Sequence, residues 1–149
     1  MIYEKAVEIL LVEDNDDDAE LTIMAFKKHK FANEIVRVRD GAEALDYLFC
    51  RGQFISRDMT QLPKIILLDL KLPKVSGFEV LRAIKSNDVL KSIPVIVMTS
   101  SQEEKDIVRS YELGVNSFIT KPVLMEEFMK VVYNLGFYWL LINEANPNI

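Results

Sequence analysis

The sequence predicts an α/β domain, doubly wound around a five-stranded parallel sheet, and two observations carry that prediction. Short apolar runs alternate with segments of helical period, which is the pattern of repeated βαβ units. Four of the runs also end on residues able to handle phosphate: Glu13 and Asp14 after Val7–Val12, Asp69 after Ile65–Leu68, Thr99 after Ile93–Met98, and Lys121 after Phe118 and Ile119. In open parallel sheets the carboxyl ends of the strands share the rim where ligands bind, so distant segments are expected to converge on one site.

The elements follow in order. Strand one is Val7–Val12, and Asp16 to Asp18 then occupy the first turn of a helix, where acids suit the positive end of the dipole. Leu21, Met24 and Ala25 are expected to form its buried face. Lys27, Lys28, His29 and Lys30 close the helix, and His29 reads as a solvated terminal cation without a catalytic role. Strand two, Glu34–Val38, alternates polar and apolar residues like a half-exposed edge strand, and Asp40 caps a helix through Ala44, Leu45 and Leu48. Arg51 to Gln61 is polar and long for a connection, so an extended loop is expected there.

Strand three is wholly apolar and therefore central; its helix starts near Gly77 and carries Phe78, Val80, Leu81 and Ile84. Strand four follows, then a fourth helix over Gln102–Leu113 that Gly114 stops, then a short strand five around Ser117–Ile119. A fifth helix begins after Pro122, with an apolar stripe of Phe128, Val131, Val132, Leu135, Trp139 and Ile142 that requires Gly136 to lie inside it.

At 149 residues and 50% hydrophobic content the chain suits one domain, with a core over about 7–135 and an aromatic C-terminal helical extension over 136–149. A net charge of −5 and the lack of a Lys/Arg stripe argue against a nucleic-acid surface. The N-terminal apolar run is too short for a signal peptide or a membrane span, so a cytoplasmic protein is expected. Cys50, the single cysteine, has no internal disulfide partner and is read as inert.

Three carboxylates gathered at one rim repel one another, and a divalent cation is the simplest way to hold them together. An all-oxygen donor set favours Mg2+, which keeps several waters and bridges carboxylates to a phosphoryl oxygen. No acidic loop of the EF-hand pattern supports calcium. Asp69, at the end of the most buried strand, is the best nucleophile for an acyl phosphate; Lys121 would neutralise charge on the transferring group and Thr99 would bond its oxygen. Any one of these residues alone is more commonly a cap or a solvated surface group. Their joint placement at successive strand ends carries the reading.

Over roughly Glu8–Leu135 the chain resembles the receiver domains of bacterial two-component response regulators. The resemblance rests on Val12-Glu13-Asp14-Asn15 as the acidic pair, Leu68-Asp69 with Leu72-Pro73 and Gly77 as the phosphoacceptor segment, Met98-Thr99-Ser100 as the switch segment and Thr120-Lys121-Pro122 as the lysine motif. It implies a flavodoxin-like sheet in the order 2-1-3-4-5. It also implies that Asp69 takes a phosphoryl group from a kinase histidine, that Asp14, Asp69 and the Lys71 backbone carbonyl ligate Mg2+ with Glu13 acting through water, and that the Lys121-Pro122 bond is cis. Phosphorylation would draw the Thr99 hydroxyl inward, with Phe118 following as the switch aromatic in a position where many receivers carry tyrosine. Lys71 and Ser101 fall at family positions that tune hydrolysis of the acyl phosphate.

The segment after the receiver is too short for a DNA-binding or enzymatic output domain, so a stand-alone receiver is expected, one that catalyses only its own phosphorylation and dephosphorylation. Tyr133, Phe137, Tyr138, Leu140 and Leu141 make a second apolar face on the last helix. A homodimer through the fourth and fifth helices and this tail is favoured over a fold-back of the tail or a partner-protein site. The aromatic tail and the long 51–61 loop resemble the small response regulators paired with cyanobacterial phytochromes, which implies a phytochrome-type histidine kinase as partner. A scaffold that never turns over phosphate is the alternative. An aspartate-dependent phosphatase would want a second aspartate where Lys71 stands, and a flavin site a hydroxyl-rich loop where Glu13 to Asp18 stand.

Overall fold

A computed structural model of the chain describes residues 8–29, 34–99, 112–115 and 117–136. The strands β1 (Glu8–Val12), β2 (Glu34–Val38), β3 (Ile65–Asp69), β4 (Val95–Thr99) and β5 (Ser117–Thr120) form one sheet in the order β2-β1-β3-β4-β5. Every pairing is parallel. This is the predicted topology, with β3 central and wholly buried. Helices α1 (Asp16–His29), α2 (Gly41–Leu48) and α3 (Gly77–Lys85) and the C-terminal helix Met125–Asn134 cover the sheet. Among the described residues, no helix is long and apolar enough to cross a membrane.

Alternation along the strands divides the interior into two layers. Leu10, Val12, Ile66, Leu68, Val95 and Val97 face α2 and α3, packing on Ala44, Leu48, Val80, Leu81 and Ile84. Ile9, Leu11, Ile65, Leu67, Ile96 and Met98 face the other way, against Ala19 and Phe26 of α1 and Phe128 and Val132 of the C-terminal helix. Phe26 and Phe128 meet edge to face, with ring centroids 4.8 Å apart at 86°.

Local signals set the helix ends. The Asp40 carboxylate accepts the Glu43 amide at 2.8 Å, as the predicted cap of α2, and the Ser76 hydroxyl accepts the Glu79 amide at 3.2 Å to start α3. Gly114 has φ +84° at the predicted stop of the fourth helix. The body of that helix, with Ser100 and Ser101, lies outside the described residues, as do Val7, Lys30 and the aromatic tail from Phe137 onward, including Tyr138, Trp139, Leu140, Leu141 and Ile142.

Three expectations are corrected. Leu21 and Met24 are exposed; α1 instead buries Ala19, Thr22 and Phe26. The spacing of three and four is right but the stripe is the neighbouring one, because the Thr22 hydroxyl is satisfied by donating to the Asp18 carbonyl at 3.0 Å. The strand β2 does not alternate between exposed and buried; exposure falls from Glu34 to a fully buried Val38, because Ile35 and Val36 pack on opposite layers. Gly136, with φ +83°, follows the helix Met125–Asn134 and does not lie inside it.

The 51–61 loop, finally, is compact. It contains a 3-10 turn at Gly52–Phe54, and Arg57 stacks over the Tyr47 ring at 3.8 Å while bonding the Tyr47 carbonyl, the Cys50 sulfur at 3.2 Å and the Gln61 carbonyl at 2.7 Å.

Candidate functional site: an acidic rim with one central lysine

At the carboxyl rim the polypeptide leaves β1 through Glu13 and Asp14, β3 through Asp69, β4 through Thr99, and β5 through Thr120 and Lys121. Register places Asp69 opposite Met98 and Thr99 opposite Thr120. Glu13, Asp69 and Thr99 are buried, at 1%, 6% and 8% exposure, whereas Asp14 is exposed. One oxygen from each of Glu13, Asp14 and Asp69 lies within 4.8 Å of the others.

Lys121 is the hub. Its Nζ donates to Asp69 Oδ2 at 2.8 Å and to Glu13 Oε1 at 2.9 Å and Oε2 at 3.2 Å. The Lys121 amide donates to the Thr99 carbonyl at 2.8 Å, which ties the lysine loop to the end of β4, and the Lys121-Pro122 bond is cis as expected. The Lys71 amide donates to Asp69 Oδ1 at 3.0 Å, so both oxygens of that carboxylate are held. Phe118, half-buried, pairs in register with Val97 and packs against the α2/α3 layer.

Burial pushes the Glu13 carboxyl above the usual carboxylate range, and Asp69 pushes the same way while the Lys121 hydrogen bond opposes both. For Lys121, burial alone would favour the neutral amine, but hydrogen bonds to Asp69 and Glu13 outweigh it and raise its pKa, so it remains an ammonium.

Of the predicted site residues, Glu13, Asp14, Asp69 and Lys121 come together, Thr99 ends the neighbouring strand and Phe118 packs into the α2/α3 layer, and the structure adds others that spacing did not single out for the site. Asp18 Oδ2 lies 3.4 Å from Lys121 Nζ. Arg37 donates Nε and Nη2 to the Glu13 carbonyl at 2.9 and 2.8 Å, and Nη1 to Asp16 at 2.9 Å. Gly77 sits so close to β3 that a Cβ there would lie 2.4 Å from the Asp69 carbonyl oxygen, and one on Gly41 would lie 1.8 Å from the Val75 carbonyl oxygen. The turn after Asp69 is thus clamped from two helix starts. A legible signal existed for Arg37: it lies two residues after Ile35, so it points to the α1 side of an edge strand, where a charge needs a partner.

The parallel sheet thus brings three carboxylates, a hydroxyl and a half-buried ammonium to one rim, the edge at which open α/β sheets bind their ligands. Residues 9–133 match the response regulator receiver domain family, and the chain belongs to it. It is 43% identical over 137 residues to the probable methanogenesis regulatory protein FilR2 of Methanothrix harundinacea, covering 92% of this chain and 86% of that one. It is 41% identical over 132 residues to the response regulator Rcp1 of Synechocystis, covering 89% and 88%. The Mn(2+)-bound structure of Rcp1 superposes with a TM-score of 0.73, at 41% identity and 89% and 94% coverage. The bacteriophytochrome response regulator AtBRR superposes with a TM-score of 0.83, at 52% identity, over 95% of this chain and 100% of that one. Family membership implies a histidine kinase partner in two-component signalling.

Proposed function

We propose that the protein is a phosphoacceptor switch: Asp69 takes a phosphoryl group from the phosphohistidine of a sensor histidine kinase and carries it as an acyl phosphate. The observation that carries the reading is Lys121, shared at 2.8 to 3.2 Å between Asp69 and Glu13 beside Asp14. An Asp69 oxygen attacks phosphorus, a P–O bond forms as the P–N bond to imidazole breaks, and the imidazole leaves with that electron pair and takes up a proton from solvent. Hydrogen bonds from the Lys71 amide and Lys121 hold the plane of the attacking carboxyl, which lowers the orientational cost of transfer. Lys121 then balances the added charge, and the Thr99 hydroxyl, at the end of the neighbouring strand, donates to a phosphoryl oxygen.

The Glu13, Asp14 and Asp69 oxygens form an all-oxygen donor set that suits Mg2+, which Asp14, Asp69 and the Lys71 carbonyl would hold directly and Glu13 through water. When bound, the cation neutralises charge on the phosphoryl oxygens. Similarity to Rcp1, which binds Mn2+ in its solved form, supports this assignment.

Similarity to AtBRR supports a phytochrome-type kinase as the donor. The output is a change of binding surface around Thr99 and Phe118, with no further chemistry on other substrates. Exposed Leu124, Met129 and Tyr133 on and before the last helix support a homodimer along that face.

The test is incubation with a small acyl-phosphate donor, with and without Mg2+, read by intact mass. One added phosphoryl group that requires both Mg2+ and Asp69, and is lost in Asp69→Asn, is the expected result. No addition under any condition overturns the reading in favour of a scaffold. Sedimentation at tens of micromolar should show dimers.

A further inference from the structure

We propose that Arg37 is a positioning residue for the Mg2+ site, acting through the backbone that carries Asp14; this rests on the function proposed above. Arg37 stands on β2, opposite Leu11 in register, and its side chain is only 16% exposed. Its guanidinium engages both ends of the short segment that leaves β1. Nε and Nη2 donate to the Glu13 carbonyl at 2.9 and 2.8 Å, and Nη1 donates to the Asp16 carboxylate at 2.9 Å. Asp16 is the first residue of α1, so one rigid planar fork ties β2, the end of β1 and the start of a helix. Asp14 lies between the two anchored residues.

The geometry explains why a cation belongs beside an acidic site. Glu13 and Asp69 are buried and held by Lys121, but Asp14 is exposed, and an exposed carboxylate takes its position from the backbone beneath it. The peptide joining Glu13 to Asp14 is fixed on its carbonyl side by the two Arg37 bonds, and the Glu13 amide is fixed by the Val38 carbonyl at 3.1 Å. With that peptide held, the Asp14 carboxylate meets its two partners without an ordering cost at the moment of binding. Arg39 supplies the comparison. It bonds the same Asp16 carboxylate, is 60% exposed, and is a partner of Asp16 without being one of the Glu13 carbonyl's.

The two residues predict opposite signs. Removing a positive charge near a cation site should strengthen cation binding by Coulomb's law alone. If Arg37 only contributed charge, Arg37→Ala would bind Mg2+ more tightly than the native chain, as Arg39→Ala is expected to, slightly. As a positioning residue, Arg37→Ala instead binds more weakly, by about tenfold, the lower end of the effect of groups that orient metal ligands. Arg37→Lys keeps the charge but loses the fork, so it too should bind more weakly than the native chain.

The experiment is titration calorimetry of Mg2+ into the full chain and each variant at constant ionic strength, with circular dichroism confirming that each is folded. Weaker binding in Arg37→Ala and Arg37→Lys, with Arg39→Ala equal to or tighter than native, is the expected result. Native-like or tighter binding in Arg37→Ala overturns the inference and leaves the proposed function standing. If Arg37→Ala does not fold, native affinity in Arg37→Lys overturns it equally. Failure of the native chain to bind Mg2+ overturns both.

Discussion

One peptide bond separates two very different environments in β3. Leu68 is fully buried in an apolar layer, whereas Asp69, 6% exposed, meets two other carboxylates and an ammonium. Below the rim, stability comes from area and volume: each buried Leu, Ile or Phe contributes about 1.5–3 kcal/mol, and any residue of similar shape would serve. At the rim it is charge that matters, and the arrangement is costly without its partners. The comparison teaches that this domain uses a rigid, redundant core to hold a small set of mutually repelling groups at fixed distances.

The contrast can be broken most sharply from the core. Phe128→Ala removes the ring that meets Phe26 edge to face and should cost about 3–5 kcal/mol of unfolding free energy, as in other large-to-small core changes. Per folded molecule, its phosphoryl acceptance should stay near native. Equal loss of acceptance would mean that the rim is not mechanically separate from the core. Chemical denaturation and the mass assay measure the two quantities.

Next comes the rim itself. Lys121→Met leaves the buried Glu13 and Asp69 without their shared cation and should cost about 3 kcal/mol, the lower range for breaking a buried ion pair. Added Mg2+ should recover more stability in this variant than in the native chain. Because the folded pKa of Lys121 lies above its ordinary 10.5, its contribution is complete below that value and is lost as pH rises past it. Native stability should therefore fall more steeply above about pH 10.5 than that of Lys121→Met, whose curve lacks this proton.

Gly77 lies where the two regions meet. A Cβ there would stand 2.4 Å from the Asp69 carbonyl oxygen and 2.5 Å from Leu70 Cα, so backbone must move. Gly77→Ala should cost about 1–3 kcal/mol and, unlike Phe128→Ala, should slow phosphoryl acceptance as well.

The smallest effect sharpens the comparison by its sign. Glu13 has a raised pKa in the folded state, chiefly from burial, so its charge opposes folding; that penalty is complete above the folded value and relieved as pH falls toward 4.5. Glu13→Gln should then raise the thermal midpoint at neutral pH by about 2–4 °C, the shift expected for about 1 kcal/mol in a chain of this size. The same change should weaken Mg2+ binding. A lower midpoint in calorimetry would show that Lys121 needs the Glu13 charge more than burial opposes it.

Sequence alone carried the architecture and the principal site residues, because both are written locally. Apolar runs with helical segments between them specify a parallel sheet, and the residue ending each run is delivered to the rim whatever the detailed packing. Asp40 at the start of α2 and Gly114 at φ +84° were legible for the same reason, since caps and stops depend on a few neighbouring residues.

What only the tertiary structure decided are matters of proximity across the chain. Two apolar stripes on α1 had the same period, and Leu21 and Met24 stayed outside because Thr22 could satisfy its hydroxyl within the helix and turn inward with Phe26. Arg37 reaches the Glu13 carbonyl across 24 positions of sequence, and Asp18 joins Lys121 across 103. Gly77 and Gly41 press against backbone that no periodicity places beside them. Such contacts depend on where separate segments meet in space. Pattern sets the period of a buried face, but only the packed chain determines which stripe turns inward and which groups it will touch.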